Sequence, residues 1–233
     1  MKRLIIIGLL SLCQLSCVYS QSLNPVCVEV VENRVADNIR QTYYLKNDHQ
    51  NVYFCSDDIK DCVLKVTNTA PTEPYDGDVY WSFIFGHHID ELSELGLDFD
   101  INRFAVNYAH SLWLVISVAK DELNYPMSFH DDLLIIDFPK DRYHEIGAYP
   151  KGMLRPIEHI FIQEKITKAI IKKHQGKVVE ATFTTDKDEH FQYRLSYHSN
   201  KLVKSEILFQ KSIQDDWQTD VFENYHYIQC PSS

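Results

Sequence analysis

The 233-residue chain lacks most of the short signatures that announce a chemistry. It has no Gly-rich phosphate cradle and no G-x-S-x-G elbow, so neither nucleotide binding nor serine hydrolysis finds its usual motif. It has no internal repeat and no low-complexity segment, which argues against a solenoid or a disordered linker. Beyond residue 20 no apolar run approaches the ~20 residues that a spanning helix needs. Basic side chains are scarce, with 23 Lys and Arg against 33 Asp and Glu, a net charge of -10 with histidines neutral. Such a surface repels nucleic acid at neutral pH.

What is present begins with an export signal. "MKRLIIIGLLSLCQLSCVYS" has a basic start at Lys2 and Arg3, an apolar run from Leu4 to Leu12, and Val18 and Ser20 at the positions a signal peptidase reads. The expected organisation is a signal peptide over residues 1–20 and one domain over residues 21–233. The expected location is extracellular, with the lysosome as a further possible destination and no membrane partner. Removing Lys2 and Arg3 leaves 21 basic against 33 acidic side chains, a net charge of -12. The 11 histidines complicate this balance, because near a lysosomal pH of roughly 5 exposed imidazoles charge.

Four cysteines remain after the signal: Cys27, Cys55, Cys62 and Cys230. An even count in an exported chain favours two disulfides, for which three connectivities exist. Cys55 and Cys62 close the shortest loop, which leaves Cys27 with Cys230. A zinc site lacks paired short spacings.

Periodicity suggests mixed structure. "TNTAPTEPYDGD" (67–78) reads as a loop. "VYWSFIFG" (79–86), "RFAVNY" (103–108), "SLWLVISVA" (111–119) and "DLLIIDFP" (132–139) read as apolar strands. "RPIEHIFIQEKITKAIIKKHQGK" (155–177) reads as a helix, with Pro156 at its start and Gly176 past its end. Four further strands follow, in "KVVEATFTT", "HFQYRLSYHS", "KLVKSEILFQ" and "TDVFENYHYIQC". This pattern describes an α+β domain, mixed but dominated by its sheet, with at least one long helix.

Most polar constellations have plain explanations. "GHHID" and "FHDD" place His beside carboxylates, but adjacent residues on a strand face opposite ways, so solvated loops are the expected setting. "TTDKDE" lacks the Gly and distal Glu of a calcium loop and reads as a charged turn. Lys172, Lys173 and Lys177 cluster at the expected helix end, where cations suit the macrodipole; phosphate contact is their less economical role. No metal or other cofactor is implied.

One family resemblance runs along the chain. "RFAVNY" followed by "LWLVISVAKDELNYP" resembles the "KGVVAFD" and "GFWLVHSVPNFP" segments of the deoxyribonuclease II family, acid nucleases of phospholipase D-like architecture. "HDDLLIIDFPKDRYHEIG", "RPIEHIFIQEK" and "HFQYRLSYHSNKLVKSEIL" are similar, in order, to later segments of that family. The resemblance implies a phospholipase D-like fold, incomplete relative to the family. It implies further that the catalytic machinery is gone. The family's histidine in "WLVHS" is Ile116 here, which can neither attack phosphorus nor move a proton, and no His-x-Lys occurs for a second catalytic segment. His110 shares the strand parity of Ile116 but would lie about 20 Å from it along an extended chain. The family's cysteine in "LLC" corresponds to Ile135, which points Cys27 to Cys230.

The leading expectation is therefore a secreted, shortened deoxyribonuclease II-like protein without catalysis. It would bind a protein partner, or nucleic acid at acid pH. An active acid endonuclease is the second expectation. A secreted binding module with a cystatin-like helix-on-sheet fold, suggested by residues 157–230, is the third.

Overall fold

The structure, a computed structural model, describes residues 25–48, 50–56, 59, 61–73, 76–99, 104–117, 127–138 and 166–230. Among the described residues four strands come first: β1 (Val26–Arg34), β2 (Ile39–Asn47), β3 (Asn51–Cys55) and β4 (Cys62–Thr67). Two helices follow, α1 (Gly77–Glu94) and α2 (Val106–Ser117). The remaining strands are β5 (Met127–His130), β6 (Leu133–Asp137), β7 (Ile166–His174), β8 (Lys177–Thr185), β9 (His190–His198), β10 (Lys201–Gln210) and β11 (Gln218–Ile228).

All eleven strands join one sheet in the order β4-β3-β2-β1-β11-β10-β9-β8-β7-β6-β5. Each paired neighbour is antiparallel. Tight turns set the meander. Gln175 and Gly176 (φ 52° and 80°) and Ser199 and Asn200 (φ 50° and 63°) both take positive φ, the two-residue connection that matches strand twist. The first and last described strands, β1 and β11, meet in the middle of the sheet, where Cys27 pairs with Ile228 in register and bonds covalently to Cys230.

The sheet curls around the helices. α1 is tied to β4 through Ser82, and the residues just past it, Leu97 and Asp98, reach the β7–β8 turn, with Val178 N donating to Asp98 O at 2.6 Å. From Ser82 to its end at Glu94, α1 spans about 18 Å of helix. A flat sheet would put β4 about 34 Å from β8. Curvature closes that gap and gives the sheet a concave face. α2 lies in the concavity: Phe104 just before it meets Tyr227 of β11, and Tyr108 meets Tyr193 of β9. Nine of its twelve residues are buried, the mark of a helix enclosed on nearly all sides.

This architecture corrects the expected fold class. Among the described residues there is no phospholipase D-like mixed α+β arrangement with a long helix; they form an eleven-stranded antiparallel sheet holding two helices. "VYWSFIFG" is helix α1, and "FAVNYAHSLWLVIS" supplies helix α2. Continuous apolar runs do not distinguish a buried strand from a buried helix, and length is the arbiter. Conversely, Ile166–His174 is strand β7, while residues 155–165 of the expected helix lie outside the described residues. Gly176 does mark an end, but the end of a strand entering a hairpin. "DLLIIDFP" and the last four strands take the form expected of them.

Candidate functional site

The candidate site grows from an irregularity in β4. Val52 pairs with Val66 but Tyr53 pairs with Leu64, so Lys65 is the extra residue of a β-bulge. The bulge puts two consecutive residues on the inner face. Val66 takes the core place opposite Val52, and Lys65 extends over Phe54, its Nζ 5.9 Å from the ring centroid. α1 covers this irregularity. Asp76 caps its N-terminus by accepting from Val79 N at 3.2 Å, and the Ser82 hydroxyl lies 2.7 Å from Asp78 O and 3.2 Å from Leu64 O, inside the bulge.

Between α1 and β3–β4 this packing leaves an open cavity of about 520 Å³. Its walls are mostly apolar: Phe54, Val63, Leu64, Trp81 and Phe85. Its polar groups are few, namely Lys65, Ser82, Asn107 of α2 and an exposed Asp78 at the start of α1. Burial pulls the Lys65 ammonium below its ordinary pKa, and the charges of Glu223 and Glu32 partly restore it. Part of the Lys65 side chain still reaches solvent.

A dense polar cluster lies elsewhere on the concave face, around Glu223. The Glu223 carboxylate accepts from Tyr43 at 2.5 Å, Tyr225 at 2.7 Å and Ser205 at 2.8 Å. Tyr108 donates to Ser205 at 2.9 Å, joining α2 to β10 and β11. Burial, then the charge on Glu223, holds the phenols of Tyr43, Tyr108 and Tyr225 well above the usual range. Glu32 stands directly across from Glu223 in register, yet turns to Arg34 Nε at 2.5 Å and Gln41 Nε2 at 2.9 Å. The two carboxylates are thus separately satisfied, as burial requires.

A second cluster joins the helices. His88 of α1 and His110 of α2 meet through their Nδ1 atoms, and the His88 ring stacks on Trp113 with centroids 3.4 Å apart. Trp113 in turn donates from Nε1 to Glu91, which also holds His87 at 3.2 Å. Burial first, then the neighbouring His110 and His87, lowers the His88 pKa to about 3; burial lowers that of His110 to about 4.

The residues singled out from sequence fall elsewhere. Ile116 is buried on α2, in the hydrophobic core, and not on a strand. His110 is six residues from it along a helix, about 9 Å of rise, and faces His88. Lys172 and Lys173 lie just before His174, the last residue of β7, and Lys177 begins β8, so they flank a hairpin and cap no helix. Lys177 Nζ lies 5.5 Å from the Tyr197 ring centroid, beside a cavity of about 330 Å³ that His174, Ser199 and Asn200 also line. "GHHID" lies on α1 with His88 buried, not in a solvated loop. "FHDD" forms the β5–β6 turn with Asp131 at φ 47°, and "TTDKDE" forms the turn from β8 to β9. Among the described residues no three His, Cys, Asp or Glu side chains converge as metal ligands would.

The cysteines pair as Cys27–Cys230 and Cys55–Cys62, as expected. No helix among the described residues is long and apolar enough to cross a membrane. Lys65 and Glu223 escaped the sequence reading. Lys65 sits in an ordinary-looking strand, "CVLKVT", and a bulge has no sequence mark; Glu223 stands in "VFENYHY", whose alternation with Val221 and Tyr225 places it inward but looks like tolerance of one polar residue.

Comparison with known proteins finds no matching family model, no matching curated protein and no matching solved structure.

Proposed function

We propose that this chain is a secreted binding protein that holds a small apolar molecule in the cavity between α1 and β3–β4. One observation carries the reading: an open cavity of about 520 Å³ walled by Phe54, Val63, Leu64, Trp81 and Phe85. That volume falls within the roughly 300–1,000 Å³ of small-molecule sites, and the ratio of apolar wall to few polar groups is typical of them. The setting supports it, since two disulfides suit an oxidising compartment and brace the sheet on which the cavity is built.

The resemblance to the deoxyribonuclease II family implies binding without turnover, of a protein partner or of nucleic acid at acid pH; the cavity bears on what is bound. The cavity favours a small molecule over a polyanion. The test is titration with a neutral naphthalene probe, followed by fluorescence of Trp81, with Trp81→Phe assigning the signal. Saturable quenching that disappears when Val63→Trp narrows the cavity is expected. Quenching unchanged in Val63→Trp places the probe elsewhere and rejects the reading. A plasmid-nicking assay at pH about 5 tests the nuclease alternative directly, and no cleavage is expected.

A further inference from the structure

We propose that the ligand of this cavity is a monoanion, an apolar molecule ending in a carboxylate that docks on Lys65. The inference rests on the cavity being a binding site and names the chemistry of the head group. Its first support is geometric. The β4 bulge sets Lys65 on the inner face beside Val66, over Phe54, where it is the cationic side chain lining the cavity. Bulges recur where a strand re-aims a side chain towards a site.

The second support is electrostatic accounting. Among the described residues no carboxylate forms an ion pair with Lys65; Glu223 and Glu32 act on it only through space. Neither is free to turn. Glu223 is bound by Tyr43, Tyr225 and Ser205, and Glu32 by Arg34 and Gln41. An ammonium partly withdrawn from water, with the Phe54 ring beside it, gains from an anion delivered by a ligand. Hydrogen bonds to charged groups are the stronger kind, which makes the head group a source of specificity.

The remaining lining defines the rest of the molecule. Phe54, Leu64, Trp81 and Phe85 offer surface for a hydrocarbon tail. Asp78, exposed at the start of α1, opposes a second negative charge. A dicarboxylate is thereby disfavoured, and a medium-length aliphatic or aromatic acid fits.

The experiment compares decanoate with decanol on the full chain by isothermal titration and Trp81 fluorescence, in wild type and Lys65→Met. Circular dichroism confirms that the variant folds, and methionine keeps the apolar stem. Wild type should prefer the acid by roughly tenfold or more, the scale of one charge-assisted contact. Lys65→Met should weaken decanoate and leave decanol unchanged, erasing that preference. Equal binding of acid and alcohol by wild type overturns the head-group inference while the cavity reading stands. A preference that survives in Lys65→Met overturns it too. Binding of neither compound to wild type overturns both.

Discussion

The Nδ1 atoms of His88 and His110 stand 2.8 Å apart, at the junction of the two helices. One imidazole must donate and the other accept, so the contact exists only while at least one ring is neutral. Both rings are buried, at 4% and 1% exposure, and their pKa values fall to about 3 and about 4. In an unfolded chain each would titrate near 6.5. The unfolded state therefore binds more protons in acid, and stability rises with pH across that window. It is full above about pH 6.5 and declines as pH falls, until about pH 4 for His110 and about pH 3 for His88. At pH 5 the loss is on the order of 2 kcal/mol for each ring. Proton NMR should show two imidazoles still neutral at pH 5, and the urea midpoint should be lower there than at pH 7.5. Two ordinary titrations near 6.5 would contradict this account.

The tyrosines make the opposite prediction. Tyr43, Tyr108 and Tyr225 surround Glu223 on the concave face, and Tyr193 is buried beside Tyr108. Burial raises all four well above the usual phenol value. Their folded pKa exceeds the unfolded value near 10, so the stability they contribute is complete below pH 10 and is lost as pH climbs past it. Phenolate absorbance should thus appear in two stages, with Tyr43, Tyr108, Tyr193 and Tyr225 ionising only as the protein unfolds. Tyr225→Phe removes one donor from Glu223 and should destabilise by about 1–3 kcal/mol in urea.

Gly86 tests the seat of α1. A Cβ there would lie 2.4 Å from the Thr67 carbonyl oxygen, a backbone atom that cannot move aside cheaply. Alanine adds up to about 1 kcal/mol of helix propensity, but overpacking costs about 1–3 kcal/mol and should dominate. Gly86→Ala is expected to lower the urea midpoint. Gly77→Ala, with no atom within 4 Å of the new methyl, should leave it unchanged or raise it. The same effect at both positions would argue against close packing of α1 on β4.

These helices also show what the sequence made legible. Strands β8 to β11 announced themselves because each is a short run between polar turns, and the paired cysteines followed from count and spacing. α1 was hidden by its aromatic run, yet its ends were written out. Asp76 stands at the N-cap, and Gly96, at φ 70°, closes a Schellman motif in which Leu97 N bonds Leu92 O and Gly96 N bonds Ser93 O. α2 offered no such ends, and its burial on almost every side erased the 3.6-residue stripe. β7 failed for a different reason: isoleucines at 166, 170 and 171 satisfy helical spacing and strand propensity alike. The candidate site was less visible still, because a bulge, a cavity and an interior carboxylate are properties of pairing partners remote in sequence.

The bond between Cys27 and Cys230 has a mechanical meaning. β1 and β11 run antiparallel with Val26 and Ile228 at the same end of the pair, so tension applied to the two chain ends would peel this ladder open one rung at a time. That is the weak direction for a sheet, since each hydrogen bond carries the whole load in turn. The disulfide sits at the first rung and diverts the load through a covalent link. While it is intact, the central seam of the sheet, together with Glu223 and its tyrosines a few rungs further along, feels no pull from either end.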